Sequence, residues 1–131
     1  MLEIWRNNNF EQLFKTAYEK GIILSGVSAG AVCWFDWILS DSMGLGFKPL
    51  KGINLIEGSC TPHSSNIERI NEFKLNIKNN KLPNGIAIDD GVAVVFIDGK
   101  PTEVYSTIDN QGAYFLDKNK KINLKEYIKN R

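Results

Sequence analysis

The hydrophobic pattern of the first third of the chain predicts two helices with a buried strand between them. In NFEQLFKTAYEKG, apolar side chains recur every three or four residues, which is typical of an amphipathic helix ending at Gly21. The next run, IILSGV, is rich in β-branched residues and predicts a buried strand. AGAVCWFDWIL is apolar on most sides and predicts a buried helix. Helix, strand, tight turn and helix in this order favour a parallel α/β sheet.

The middle of the chain alternates between polar loops and short apolar runs. SDSMGLGFKPLKG is glycine-rich and predicts a loop, whereas INLI predicts a short strand. EGSCTPHSSN predicts a polar loop and contains the only histidine of the sequence. NIERINEFKLNIKNN has apolar residues at helical spacing and predicts a second amphipathic helix that ends before Pro83 and Gly85.

The last third of the chain has the pattern of short strands joined by tight turns. GIAID, VAVVFID, TEVYST and AYFLD are strand-like, and turn sequences rich in Asp, Asn and Gly separate them. We expect them to form the far edge of the sheet and an antiparallel meander. LKEYIK predicts a short closing helix.

Length and charge place the chain among ordinary globular proteins. Its 131 residues suffice for one hydrophobic core, so we expect a single domain over residues 1–131. The net charge is +1, and we expect neither nucleic acid nor a membrane surface as a partner. The basic segment KNKKINLKEYIKNR is interpreted as a solvated helix or tail. No apolar run approaches the 18 or so residues that span a bilayer.

The two cysteines predict a reducing compartment. Cys33 and Cys60 are not part of a CxxC pair, and the start of the sequence, MLEIWRNNNF, lacks the pattern of a signal peptide. We therefore expect a cytoplasmic protein with reduced thiols. Cys33 lies in an apolar run and is interpreted as a small core residue.

Ser28 lies where a nucleophile elbow would place its serine, between the predicted strand and the predicted helix. Such a turn needs small residues two positions before and after the serine, and here they are Gly26 and Gly30. The backbone N–H of Ala29 heads the helix and, together with Gly26, is a candidate for the oxyanion hole. The alternative interpretation is a glycine-rich turn that only packs well or binds a phosphate.

A nucleophilic serine needs a base, and His63 is the only histidine available. It follows a short predicted strand, where α/β enzymes present catalytic side chains. An acid should orient the imidazole. The candidates are acidic residues near the predicted turns: Asp36, Asp41, Glu57, Asp89 and Asp90. We favour Asp41, because its loop must return towards the sheet, and place Glu57 second. Asp36 lies two helical turns beyond the serine.

Four motifs in the same order, GVSAGAVCWF, LSDSMG, CTPH and AIDDGVAVVF, make the chain resemble the peptidase E family of S51 serine peptidases. The likeness extends from Ile4 to Leu116 and includes relatives such as aspartyl dipeptidases and cyanophycinases. The resemblance implies a flavodoxin-like α/β fold of the class I glutamine amidotransferase type. It also implies a cofactor-free, metal-free exopeptidase with Ser28 as nucleophile, His63 as general base and Asp41 as the acid.

The chain is shorter than members of this family, which have about 200 residues or more. The resemblance implies that the first strands of the sheet would precede Met1, together with a Gly-Gly-Asn loop that lends a second N–H to the oxyanion hole. Without them the strand IILSG would be left at an open apolar edge. Because such edges pair with other chains, we expect a homodimer that covers it.

The resulting hypothesis is a serine exopeptidase acting on short peptides, including peptides with an N-terminal aspartate. Aspartate recognition would require a cation near the site, and four residues are conceivable: Arg6, Lys48, Lys51 and Arg69. Two alternatives remain open. One is a catalytically impaired, dimeric homologue acting as a binding or remnant protein. The other is an esterase or acyl transferase using the same three residues.

Overall fold

The computed structural model describes residues 1–130, so Arg131, the last residue of the predicted domain and of its basic tail, lies outside the described residues. The helices are α1 Leu2–Asn7, α2 Phe10–Glu19, α3 Ala29–Val32, α4 Ile67–Lys78 and α5 Leu124–Lys129. The strands are β1 Phe35–Ser40, β2 Lys48–Lys51, β3 Ile56–Thr61, β4 Gly85–Ile88, β5 Val92–Ile97, β6 Lys100–Ser106, β7 Ala113–Leu116 and β8 Lys121–Asn123. None of the helices within residues 1–130 is long and apolar enough to cross a bilayer.

A six-stranded sheet with the order β2-β1-β3-β4-β7-β8 forms the centre of the molecule. β1, β3 and β4 run parallel, with Ile38 opposite Cys60 and Cys60 opposite Ile86. β2 on one side, and β7 and β8 on the other, are antiparallel to their neighbours. The predicted α/β class, a parallel sheet with antiparallel C-terminal strands, is confirmed. The meander prediction needs one correction, because β5 and β6 form a separate two-stranded sheet.

The two faces of the sheet bury different sets of residues. α4 packs on one face, where Leu39 and Ala87 contact Ile70, Phe73 and Ile77 of that helix. Residues of α1, α5 and the β5–β6 hairpin cover the opposite face. Because side chains alternate along a strand, Ile38 and Leu39 are both buried, on opposite sides of β1.

The predicted helix AGAVCWFDWIL is wrong beyond Val32. The helix α3 is a single turn, and Phe35–Ser40 forms β1 inside the sheet. A strand that is buried on both faces is apolar on most positions, as a buried helix is, so periodicity does not separate the two. The aromatic residues of this segment favour the strand.

The predicted strand IILSGV is also not observed. Residues 22–26 belong to no helix or strand, and no strand within residues 1–130 pairs with them. Ile23 and Val27 are 90% and 88% exposed. A strand exists only beside a hydrogen-bonding neighbour, so the apolar pattern alone does not produce one.

The positions of β2 and β3 differ from those predicted from the sequence. The predicted loop SDSMGLGFKPLKG contains β2, and the strand expected at INLI instead begins at Ile56, the last residue of that run. β3 continues through Gly58 and Ser59, where small side chains allow close packing, so the strand extends into the segment predicted to be a polar loop.

Candidate active site

Ser28 lies on a sharp turn between the irregular segment 22–26 and α3. Its backbone angles, φ 55° and ψ −117°, fall in a region that side-chain-bearing residues rarely adopt. The turn is held by backbone bonds from the N–H groups of Ala31 and Val32 to the Ser28 carbonyl, at 3.0 and 3.1 Å. This is the geometry of a nucleophile elbow, with the serine at the N-cap of a helix.

Gly26 is required for the turn to close. A Cβ atom at this position would lie 2.0 Å from the carbonyl oxygen of Gly30, so only glycine allows the two backbone segments to approach so closely. A Cβ at Gly30 would meet nothing within 4 Å. The sequence requirement for small residues therefore holds strictly at one of the two positions.

The backbone N–H of Ala29 is available to a ligand. It is the first N–H of α3, and no acceptor for it is found within residues 1–130. The group lies directly after the nucleophile in the chain, which suits it to stabilise negative charge on a carbonyl oxygen attacked by Ser28.

His63 connects the serine to an acid. Its Nε2 lies 2.8 Å from the Oγ of Ser28, and its Nδ1 contacts the Oδ1 of Asp90 in a short hydrogen bond. β3 and β4 are parallel neighbours, and His63 and Asp90 follow their carboxyl ends, so the fold brings both residues to the same edge of the sheet. Ser28, His63 and Asp90 thus have the relative contacts of a Ser-His-Asp triad.

Asp41, favoured from the sequence as the acid, does not contact His63. Its Oδ2 accepts a hydrogen bond of 3.0 Å from Arg69 Nη2. The Arg69 side chain is 8% exposed and stacks on the Phe47 ring, so its guanidinium requires a nearby counter-charge. Asp41 is thus held by Arg69 and not by His63, and of the acidic candidates it is Asp90 that contacts the imidazole.

The other acidic candidates also have different surroundings. Asp36 pairs with Lys51 at 3.3 Å, and Glu57 is exposed on β3. Asp89 is buried and accepts a hydrogen bond from Ser64. The position of Asp90 could have been found from the sequence, because it directly follows the strand-like run GIAID beside the histidine's strand.

The two thiols do not compete with Ser28 as nucleophiles. Burial raises the pKa of Cys33 to about 11 and raises the pKa of Cys60 further. Both side chains are inaccessible and stay protonated at neutral pH, whereas a thiolate is needed for attack. Neither thiol is therefore a candidate nucleophile at this site.

Three of the four cations considered for aspartate recognition already have partners. Arg6 pairs with Glu11 and donates to the carbonyl oxygens of Lys51 and Gly52. Lys51 and Arg69 hold the carboxylates described above, while Lys48 is exposed at the start of β2. In the described part of the chain, no group of three or more His, Cys, Asp or Glu side chains could hold a metal ion.

Comparison with known proteins assigns the chain to a protein family. Residues 1–104 match the sequence model of peptidase family S51. A Bacillus subtilis (strain 168) protein named "Uncharacterized peptidase YgaJ" is 31% identical over 115 residues, which cover 87% of this chain and 50% of that protein. The chain thus spans about half the length of this curated relative. Since the family match covers most of the chain and includes Ser28, His63 and Asp90, the protein belongs to peptidase family S51.

Proposed function

We propose that the chain is a serine-type peptidase whose catalytic residues are Ser28, His63 and Asp90. The observation that carries the proposal is the pair of contacts made by one imidazole, to Ser28 Oγ at 2.8 Å and to the Asp90 carboxylate. Membership of a peptidase family supports a hydrolase. The unusual backbone of Ser28 adds support, because such conformations concentrate at active sites.

In this mechanism Ser28 Oγ attacks the scissile carbonyl carbon while His63 Nε2 accepts its proton. The Asp90 carboxylate accepts a hydrogen bond from the Nδ1–H of His63, which holds the imidazole in the tautomer that leaves Nε2 free and stabilises the imidazolium. The N–H of Ala29, with the backbone at Gly26 or a group from a partner chain, stabilises the oxyanion. His63 then donates the proton to the leaving amine, and water hydrolyses the acyl-enzyme by the same steps.

The proposed substrates are short peptides, including peptides with an N-terminal aspartate. This specificity follows from the resemblance to peptidase E. Aspartate binding would require Arg6, Lys51 or Arg69 to exchange a present partner, or Lys48 to turn towards the site.

We further propose that the working form is a homodimer in the cytoplasm. The exposed apolar side chains of Ile22, Ile23 and Val27, in a segment without a strand partner within residues 1–130, support the dimer, because such a segment favours pairing with another chain. The free thiols of Cys33 and Cys60 support a reducing location.

A serine-directed fluorophosphonate probe and chromogenic Asp-containing peptides test the catalytic proposal. We expect covalent labelling of the wild-type protein and peptide turnover, and a loss of at least about 10⁴-fold in kcat for Ser28→Ala, since no other group replaces the nucleophile. Ser25→Ala is the matched control, because Ser25 is exposed in the same segment. It should retain labelling.

The other outcomes separate the remaining hypotheses. Neither labelling nor turnover by the wild-type protein would contradict the catalytic proposal and favour a remnant or binding protein. Ester cleavage without peptide cleavage would favour an esterase. Equal labelling of Ser28→Ala and wild type would exclude Ser28 as the nucleophile.

A further inference from the structure

Two buried residues that adjoin the triad in the chain, Ser64 and Asp89, form a hydrogen bond with each other. Ser64 and Asp89 are 5% and 8% exposed, and the Ser64 hydroxyl donates to Asp89 Oδ1 at 2.6 Å. Ser64 immediately follows His63, and Asp89 immediately precedes Asp90. Each member of the pair is therefore the chain neighbour of one triad residue.

Hydrogen bonds that involve the backbone also link the Ser64 and Asp89 segments to neighbouring strands. The Ser64 N–H donates to the Ile88 carbonyl at 3.0 Å, and Asp89 and Gly112 exchange two bonds: the Asp89 N–H donates to the Gly112 carbonyl, and the Gly112 N–H donates to Asp89 Oδ2, each at 3.0 Å. The loop that carries His63 is thus tied to the end of β4 and, through Asp89, to the start of β7.

The triad residues themselves are poorly suited to hold their own geometry. The side chains of His63 and Asp90 are 45% and 57% exposed, so solvent weakens their mutual attraction. The backbone of His63 has φ 52°, in the left-handed region that side-chain-bearing residues disfavour. The imidazole therefore needs support from its surroundings.

Asp89 is chemically specific for this role. A carboxylate accepts at both oxygens, and here one accepts the Ser64 hydroxyl and the other the Gly112 N–H. An asparagine has one acceptor and one donor group, so with its oxygen on the Gly112 N–H its N–H₂ group could only donate to the Ser64 Oγ, which reverses the direction of that bond. Burial, and then the charge of the nearby Asp89, raise the pKa of the Tyr114 phenol.

We propose that Ser64 and Asp89 are positioning residues that act through His63. They fix the histidine loop against the end of β4, so that Nδ1 faces Asp90 and Nε2 faces Ser28. The proposal rests on the proposed serine-peptidase function for its catalytic consequence, but its structural consequence can be measured without activity.

His63 is the only histidine among 131 residues, so ¹⁵N NMR of the imidazole needs no assignment by mutation. We expect the neutral ring of the wild-type protein to be a single tautomer with its proton on Nδ1. Ser64→Ala and Asp89→Asn should show a mixture of the two tautomers, because the ring is no longer held against Asp90.

The matched control is Asp117→Asn. Asp117 also caps a turn, accepting from the N–H groups of Asn119 and Lys120, but it lies near the other end of β4, where Leu116 pairs with Gly85. Its variant should keep the wild-type tautomer. Ser64→Thr, which retains the hydroxyl, should restore the single tautomer.

The kinetic test is the rate of labelling of Ser28 together with kcat and KM. We expect Ser64→Ala and Asp89→Asn to lower kcat about 10- to 100-fold with little change in KM, as small displacements of catalytic groups do. A wild-type protein with the expected tautomers but no labelling would overturn the peptidase function and leave the positioning intact.

Two results would overturn the positioning itself. One is an unchanged tautomer in both Ser64→Ala and Asp89→Asn. The other is an equal tautomer mixture in Asp117→Asn, which would show that any loosened turn has the same effect. Ser64→Ala removes only one hydroxyl and serves as the readout if Asp89→Asn does not fold.

Discussion

Asp41 and Asp90 illustrate what a single residue's sequence context reveals about its role. Both follow parallel strands, β1 and β4, and both strands adjoin the histidine's strand β3. The sequence offers both as candidates from their places after predicted elements, although β1 itself was predicted to be a helix. The sequence could not distinguish Asp41 from Asp90, because the difference depends on Arg69. This residue lies 28 positions after Asp41, on α4, and its buried guanidinium binds the Asp41 carboxylate.

At the residue scale, substitution of Asp90 should mainly lower kcat, whereas substitution of Asp41 should mainly lower the free energy of unfolding. Asp90→Asn removes the acceptor that orients His63, and we expect kcat to fall about 10³- to 10⁴-fold with the fold retained. Asp41→Asn should change kcat less than about threefold while lowering the free energy of unfolding by about 1 kcal/mol, since its side chain is 65% exposed.

Peptide kinetics and urea denaturation of the two variants provide the measurement. Ser28→Ala sets the background rate, against which the residual activity of Asp90→Asn is read. A kcat loss that is larger in Asp41→Asn than in Asp90→Asn would return Asp41 to the triad and refute the present assignment.

At the scale of elements, the sequence predicted those helices and strands whose pattern depends on one buried face. α4 was predicted correctly because Ile70, Phe73 and Ile77 repeat at helical spacing and meet one side of the sheet. β1 was not, because burial on both faces removes the alternation. The elbow was predicted from the small residues at Gly26 and Gly30. These indicate that two backbone segments approach closely, and this prediction does not depend on a periodic pattern.

The elbow's two glycines should differ in their tolerance of alanine. Gly26→Ala should lower the free energy of unfolding by about 1–3 kcal/mol, because the new Cβ would overlap the Gly30 carbonyl. Gly30→Ala is the matched control. It adds the same methyl group in open space and in a helical turn, and should be neutral or stabilising by up to about 1 kcal/mol. Equal denaturation midpoints for the two variants would refute the close approach.

At the scale of the whole molecule, the apolar segment at residues 22–27 has no strand partner among the described residues. The resemblance identified the fold class, and the exposed segment at residues 22–27 shows where pattern reasoning failed. Its apolar residues predict burial, but no described strand lies beside them. The spacing of apolar residues along the chain does not reveal a pairing partner that lies outside the described residues.

Light scattering after size exclusion tests the proposed homodimer. At micromolar concentration we expect a mass of twice the chain's 14.8 kDa. Ile23→Lys should weaken association at least about tenfold, because it places a charge in the unpaired apolar segment. Leu45→Lys, at another exposed position outside that segment, is the control and should remain dimeric. A monomeric mass for the wild-type protein would exclude the dimer at this concentration.

The positive φ angles of Ser28 and His63 have a consequence for the energetics of the reaction. Each such conformation costs about 1–3 kcal/mol, and the rest of the fold must supply that energy before any substrate arrives. The hydroxyl and the imidazole are thus preorganised, so substrate binding energy need not be spent on rearranging the chain. Part of the molecule's marginal folding stability is thereby used to hold the proposed catalytic groups in place, and sequences that relaxed these two turns would be more stable but, under the proposed mechanism, slower.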